Sequence, residues 1–110
     1  MDVKASAQQV RLSANKVRRT LAIIRGKKAS DALLALKYTP DRSARAAVKV
    51  LQSAVANAEH NFGLDMDKLV VKEAMADTAS YMKRFRPASQ GRAHAFRHHT
   101  CHITVVVGEK

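Results

Sequence analysis

The chain has 110 residues, enough for one domain around a single hydrophobic core. Twenty Lys and Arg against nine Asp and Glu leave a net charge of +11, while 46% apolar content excludes wholesale disorder. No apolar run approaches the roughly 20 residues of a membrane helix, no signal-peptide order stands at the N-terminus, and the lone Cys101 cannot staple the fold, which suits a reducing cytoplasmic compartment.

In chain order, residues 3 to 10 alternate weakly and predict a short strand. A helix follows from Ser13, an N-cap residue, with Leu12 and Val17 at staple positions and Gly26 as a stop. Val17, Leu21 and Ile24 share its apolar face; Arg18 and Arg25, seven apart, lie along one flank, and Arg19 points away. Arg25, Lys27 and Lys28 also suit the negative pole of that helix, so stabilising its end is an alternative to binding an anion. A shorter helix is predicted after Ser30, with Asp31 in its first turn and Leu33, Leu34 and Leu36 apolar, ending before Thr39-Pro40. The third helix carries the strongest local signal. Thr39 can cap it, Pro40 suits its first position, and Ala44, Val48, Leu51, Val55, Ala58 and Phe62 recur at helical spacing up to Gly63. Arg42, Arg45 and Lys49 form a basic row on another of its faces. Beyond Gly63 the period changes, and residues 69 to 76 and 102 to 107 read as strands. One weak strand, three helices and two strands predict an α+β domain with helices against an antiparallel sheet.

Residues 81 to 101 contain no acid and few aliphatic side chains. Pro87 and Gly91 are turn formers near their centre, with Ala88, Ser89 and Gln90 between them. This symmetry predicts a long β-hairpin whose legs reach roughly 30 Å at about 3.3 Å per residue, from a body with a radius of gyration of about 13 Å. Phe85 and Phe96 can stack on bases or pack where the arm leaves the body.

The charge is concentrated in two places. From Val3 to Ser30 stand Lys4, Arg11, Lys16, Arg18, Arg19, Arg25, Lys27 and Lys28 without an acid; from Tyr81 to Gly108 stand Lys83, Arg84, Arg86, Arg92 and Arg97, again without one. The stretch between holds six basic and seven acidic residues. Two acid-free segments flanking a near-neutral middle predict two parts of one anion-binding surface, and nucleic acid is the commonest polyanion.

Enzymatic chemistry finds no footing. The cluster His98-His99-Thr100-Cys101-His102, with His94 upstream, would alternate along a strand: His98, Thr100 and His102 on one face, His99 and Cys101 on the other. Neither face then holds a complete ligand set, so no metal site is expected. Cys101 lacks an oriented base; these histidines, His98 and His99 among them, are expected to hydrogen-bond RNA or raise the local charge as pH falls. Asp65, Asp67, Glu73 and Asp77 show no paired-acid spacing, and no glycine-rich phosphate loop is present, so no catalytic residue and no cofactor is expected.

Several stretches together resemble one family. Ser13 to Arg18 (S-A-N-K-V-R), Ile24 to Lys28 (I-R-G-K-K), Tyr38-Thr39, Ser53 to Asn61 (S-A-V-A-N-A-E-H-N), Met82 to Arg84 with Pro87, Gly91 to Ala93, and His102 to Val107 are similar, in order and spacing, to the bacterial large-subunit ribosomal protein twenty-two family. The resemblance covers nearly the whole chain. It implies three helices packed on a small antiparallel three-stranded sheet with a long protruding β-hairpin. It also implies large-subunit rRNA as partner, a role in subunit assembly, and a hairpin tip lining the nascent-peptide exit tunnel beside ribosomal protein four, as a monomer within the ribosome. Carried over residue by residue, the rRNA contacts are Ser13, Asn15, Lys16, Arg18, Arg19, Arg25, Lys27, Lys28, Lys83, Arg84, Arg86, Arg92 and Arg97; the charge map adds Arg11, and the arm adds His98 and His99. Pro87, Ala88, Ser89, Gln90, Gly91, Arg92 and Ala93 form the expected tip.

The tip departs from the family pattern, which follows its proline with a run like Arg-Ala-Lys where this chain has Ala88-Ser89-Gln90. His98-His99 stands where Lys or Arg is common, and Cys101 where Ser is usual. The tip is therefore less cationic than its relatives', which bears on phosphate contacts and on macrolide sensitivity. The rival reading is an architectural DNA binder whose β-ribbon arm wedges Arg86-Pro87 into the minor groove.

Overall fold

The sheet is built around one strand that is apolar on alternate residues. A computed structural model describes residues 2–80, 82–87 and 93–109, with backbone alone for 82–87 and 93–98. Strand β5 (Cys101–Glu109) lies in the middle, paired antiparallel with β1 (Asp2–Val10) on one side and β2 (Leu69–Thr78) on the other. Cys101, Ile103, Val105 and Val107 point to one face and are buried. Val3 and Ala5 of β1 join them.

On β2 the alternation changes phase, from Leu69 and Val71 to Ala74 and Ala76, all buried. A register shift between Val71 and Glu73 accounts for this. One extra residue flips a strand's faces, so the bulge keeps the apolar side chains inward on both sides of it. A second irregularity lies between Ala7 and Val10 of β1, where Gln9 takes a positive φ of 54°.

Three helices cover the apolar face. Helix α1 (Ala14–Ile24) packs on β2, and α3 (Arg42–Phe62) packs on β1 and β5. Helix α2 (Ala29–Lys37) fills the space against α1 and α3. Val17, Leu21 and Ile24 of α1 are fully buried, as their spacing predicts; each such side chain contributes about 1.5–3 kcal/mol. Ala44, Ala47, Ala54 and Ala58 let α3 approach its neighbours closely, with Val50, Leu51 and Val55 beside them. Val48 is only partly buried, and Phe62, expected on the same stripe, is 49% exposed in the last turn. No described helix is long and apolar enough to cross a membrane.

Helix ends differ from expectation in two places. Helix α2 starts at Ala29 rather than after Ser30. Helix α3 has Asp41, not Thr39, at its N-cap, because the Thr39 hydroxyl donates instead to the Ala35 carbonyl at 2.8 Å, closing α2. The C-terminus of α3 follows the sequence: Gly63 adopts φ 65°, its N–H donates to Glu59 O and that of Leu64 to Ala58 O.

The hairpin forms a second, two-stranded sheet from β3 (Met82–Pro87) and β4 (Ala93–His98), with Met82 opposite His98 and Pro87 opposite Ala93. The overall dimensions, 62 × 25 × 17 Å with a radius of gyration of 16.9 Å, exceed the roughly 13 Å of a compact chain of this length because the hairpin protrudes. The tip residues Ala88, Ser89, Gln90, Gly91 and Arg92 lie outside the described residues.

No atom lies within 4 Å of where a Cβ at Gly63 would sit, so its substitution costs backbone strain alone. Gly63→Ala is expected to lower stability by about 1 kcal/mol, and Gly63→Asn by less; urea denaturation of the two variants beside the parent measures both.

Candidate nucleic-acid interface

Strand β2 is an edge strand, and α1 lies along its free edge in the opposite direction. Seven residues of helix span two turns, about 10.5 Å, and bring two arginines onto that edge. Arg18 Nε donates to the Ala76 carbonyl at 2.9 Å, and Arg18 Nη1 to Asn15 Oδ1 at 3.2 Å. Arg25 donates from Nε and Nη2 to the Ala74 carbonyl at 2.9 and 2.8 Å. A guanidinium has five N–H donors, so each retains three. Both residues remain exposed. The fork is thus fixed at its base by the protein and open at its outer edge, the geometry that suits a phosphate. Arg25 does not act on the end of its own helix; its guanidinium is committed to β2.

The connection after α1 completes the cover. Gly26, at φ 78°, donates its N–H to Val71 O at 2.9 Å, and Val71 N donates to Lys27 O at 2.9 Å. Lys27 and Lys28 border an open cleft of about 660 Å³ with Gly26, Asp31, Val70 and Lys72. Lys72 pairs with Asp2 at 2.8 Å, the one ion pair among the described residues, and that hydrogen bond holds the Asp2 carboxyl below its ordinary value. Lys27 and Lys28 are both exposed at the rim.

At the other end of α1, Ser13 has the extended backbone of an N-cap, but its hydroxyl caps no N–H. Ser13 and Asn15 line a smaller cleft, about 240 Å³, with Ala14, Thr78, His99 and Thr100. This cleft sits at the root of the hairpin, where Thr100 Oγ1 donates to Ser80 O and Ala79 N donates to Thr100 O at 3.1 Å. The candidate pair Ser13 and Asn15 therefore meets His99, more than eighty residues further along the chain. Arg11, Lys16 and Arg19 are exposed before and along α1.

On the arm, the register sets Lys83 opposite Arg97, Arg84 opposite Phe96 and Arg86 opposite His94. Like charges directly across a ladder are destabilising unless an anion intervenes. His98 closes the register opposite Met82; Arg92 belongs to the tip outside the described residues.

The histidine cluster resolves differently from a simple alternation. Strand geometry lapses at His99 and Thr100, between β4 and β5, so no single alternation runs through the cluster; His99 is exposed, while Thr100 and Cys101 are both buried. His102 Nδ1 accepts from Gln9 N at 3.1 Å, satisfying the N–H that the β1 irregularity frees. Among the described residues no group of three His, Cys, Asp or Glu can hold a metal ion. Burial pushes the Cys101 thiol above its ordinary 9.0, while the charge of Arg18 pulls it back. Sequence reading missed the carbonyls of Ala74 and Ala76, which carry no side-chain signal, and the Gln9–His102 contact, which depends on a bulge.

Comparison with known proteins bears on these surfaces. The family described as ribosomal protein L22p/L17e matches residues 5–108. The chain is 51% identical over 106 residues to the large ribosomal subunit protein uL22 of Synechococcus elongatus, covering 96% of this chain and 91% of that one. It is 49% identical over 110 residues to the protein of the same name from Clostridium novyi, covering 100% and 99%. It is 52% identical over 107 residues to that from Desulfitobacterium hafniense, covering 97% and 94%.

The buried Cys101 thiol gives a check on this end of the sheet. A raised folded pKa stabilises fully below the unfolded thiol value and loses that contribution as pH rises through the folded one. Stability is therefore expected to decline above about pH 9 in the parent and less in Cys101→Ser, compared by urea melts across pH. Native Cys101 is expected to resist alkylation that the unfolded chain undergoes readily.

Proposed function

The chain belongs to the ribosomal protein L22p/L17e family, and from that premise we propose that it docks on large-subunit rRNA through the arginine-lined edge of β2 and carries its hairpin into the RNA. It is a structural constituent of the large ribosomal subunit in the cytoplasmic ribosome and not an enzyme. Family membership displaces the DNA-wedge alternative.

The observation that carries the docking reading is the pair Arg18 and Arg25. Each is anchored by backbone carbonyls, exposed, and without a carboxylate partner among the described residues. A fork held in place loses little further side-chain entropy when it meets a phosphate. Lys16, Arg19, Lys27 and Lys28 extend the same surface along α1, and Ser13, Asn15 and His99 extend it to the hairpin root. Neutralised phosphates release counterions, which supplies affinity and makes it salt-dependent. A-form RNA hides its base edges in a deep, narrow groove, so the surface reads backbone shape and junctions rather than sequence.

The hairpin supplies the second half. Its strands pair with each other and not with the three-stranded sheet, so the body docks first and the arm then threads between rRNA segments and fixes their spacing during assembly. Lys83, Arg84, Arg86 and Arg97 contact RNA along its legs. The tip, from Pro87 through Ala88, Ser89, Gln90, Gly91 and Arg92 to Ala93, lines the exit tunnel beside protein four and faces the nascent peptide. Ala88-Ser89-Gln90 leaves that wall less positive than in relatives with a basic run.

Binding of the full chain to a large-subunit rRNA fragment, followed against salt concentration, tests the docking surface. Arg18→Ala with Arg25→Ala is expected to lower the log–log salt slope by about 2 and to weaken binding without regard to sequence. Lysine at both positions restores the slope but not the affinity, since an ammonium cannot hold a carbonyl and a phosphate in one plane. An unchanged slope would reduce the two arginines to edge covers. For the arm, deletion of residues 84 to 97 is expected to leave a cooperative melt near the parent's temperature while the protein is lost from subunits in a high-salt wash. A large drop in melting temperature would make the hairpin part of the core.

A further inference from the structure

The corner between α2 and α3 carries a second basic surface, with residues outside the docking edge just described. Lys37, Thr39, Pro40, Asp41, Arg42 and Arg45 line a cleft of about 410 Å³ there. Beside it stands Tyr38, 77% exposed, with Leu34 one turn earlier on the same helix 52% exposed. They are the two most exposed large apolar side chains among the described residues.

The electrostatics of this corner are divided: Lys37 in the last turn of α2 and Asp41 at the α3 N-cap suit their helix poles, whereas the two arginines at the start of α3 do not. Arg42 is the first residue of α3 and Arg45 lies one turn in, both at the positive pole of the macrodipole, where carboxylates are favoured and cations are unfavourable. The first turn holds no acid, and the N-cap Asp41 makes no side-chain cap bond. Thr39, which could cap, is turned back onto Ala35. None of Lys37, Arg42 or Arg45 has a carboxylate partner within ion-pair distance among the described residues. A local rule broken at several adjacent positions points to a function for the site. Three cations outnumber the single carboxylate of Asp41 around the cleft, and with an exposed aromatic ring beside them they fit a phosphate in the cleft and a base on the ring.

We propose that the α2–α3 corner binds an unstacked nucleotide of single-stranded RNA, its phosphate held by Lys37, Arg42 and Arg45 and its base stacked on Tyr38. The proposal rests on the chain's seat in ribosomal RNA, but places a contact at residues separate from Arg18 and Arg25. The protein would then grip RNA at two sites, one reading duplex backbone and the other a looped-out residue.

The composition provides the probe. The chain has no tryptophan and two tyrosines, so Tyr81→Phe leaves Tyr38 as the sole tyrosine, excited selectively at wavelengths where phenylalanine does not absorb. This variant is titrated with an end-labelled, unstructured single-stranded RNA, with Tyr38 emission and the anisotropy of the RNA label read together. Poly-glutamate serves as a polyanion without bases. The expected result is saturable quenching by RNA and none by poly-glutamate. Arg42→Ala with Arg45→Ala should shift quenching to several-fold higher RNA concentration. Rising anisotropy with unchanged Tyr38 emission would overturn the corner site and leave the docking edge standing. Flat anisotropy would overturn RNA binding at both. A Tyr38 response to poly-glutamate but not to RNA would also overturn the proposal and assign the corner to an acidic protein segment.

Discussion

The free edge of β2 carries carbonyl groups that β5 cannot reach, and the means of covering them sets the position of much else. An open edge invites pairing with another chain. Here the guanidiniums of Arg18 and Arg25 take the Ala76 and Ala74 carbonyls, while Gly26 and Lys27 bridge to Val71. These contacts fix the rotation of α1 about its axis. Val17, Leu21 and Ile24 are thereby turned inward, and the remaining N–H groups of both arginines outward. One set of hydrogen bonds closes the sheet, orients the helix and presents the cations.

This economy suits a protein whose charge cannot be balanced internally. With 20 basic residues against nine acidic ones, and one ion pair among the described residues, most of the positive charge has no acidic counterpart within the chain. Self-repulsion of that kind opposes compaction. The structure tolerates it by keeping basic residues on exposed helix faces and along a thin hairpin, and among the described residues none is buried in the core. The anion of the large subunit is in this sense a missing part of the electrostatics.

Much of the fold can be read from residue order. The stripe through Leu51, Val55 and Ala58, the stop at Gly63 and the β-branched run before Gly108 each follow from local periodicity. So does the hairpin, from Pro87 and Gly91 amid an acid-free stretch. What escapes is whatever depends on the third dimension. Thr39 and Asp41 are both competent caps, and only the reach of the Thr39 hydroxyl to Ala35 decides between them. The phase change on β2 comes from a bulge beside Lys72, which no residue type announces. For the interface, the charge map indicates a polyanion and two candidate segments, but it cannot separate anchored arginines from solvated ones. Partner and subunit come from family motifs such as S-A-N-K-V-R and I-R-G-K-K, not from charge.

The root of the hairpin has a mechanical consequence. Its two legs lead directly out of β2 and β5, neighbours in the sheet, and Thr100 ties them to Ser80 and Ala79 where they leave. Tension along the arm therefore pulls both strands the same way and does not slide one past the other. The load falls on the ladder between β5 and β1 and on the arginine grip of α1 upon β2. Both are loaded in shear, where the hydrogen bonds share the force instead of opening one at a time. A domain built so is a peg, strongest along the axis on which its arm is pulled.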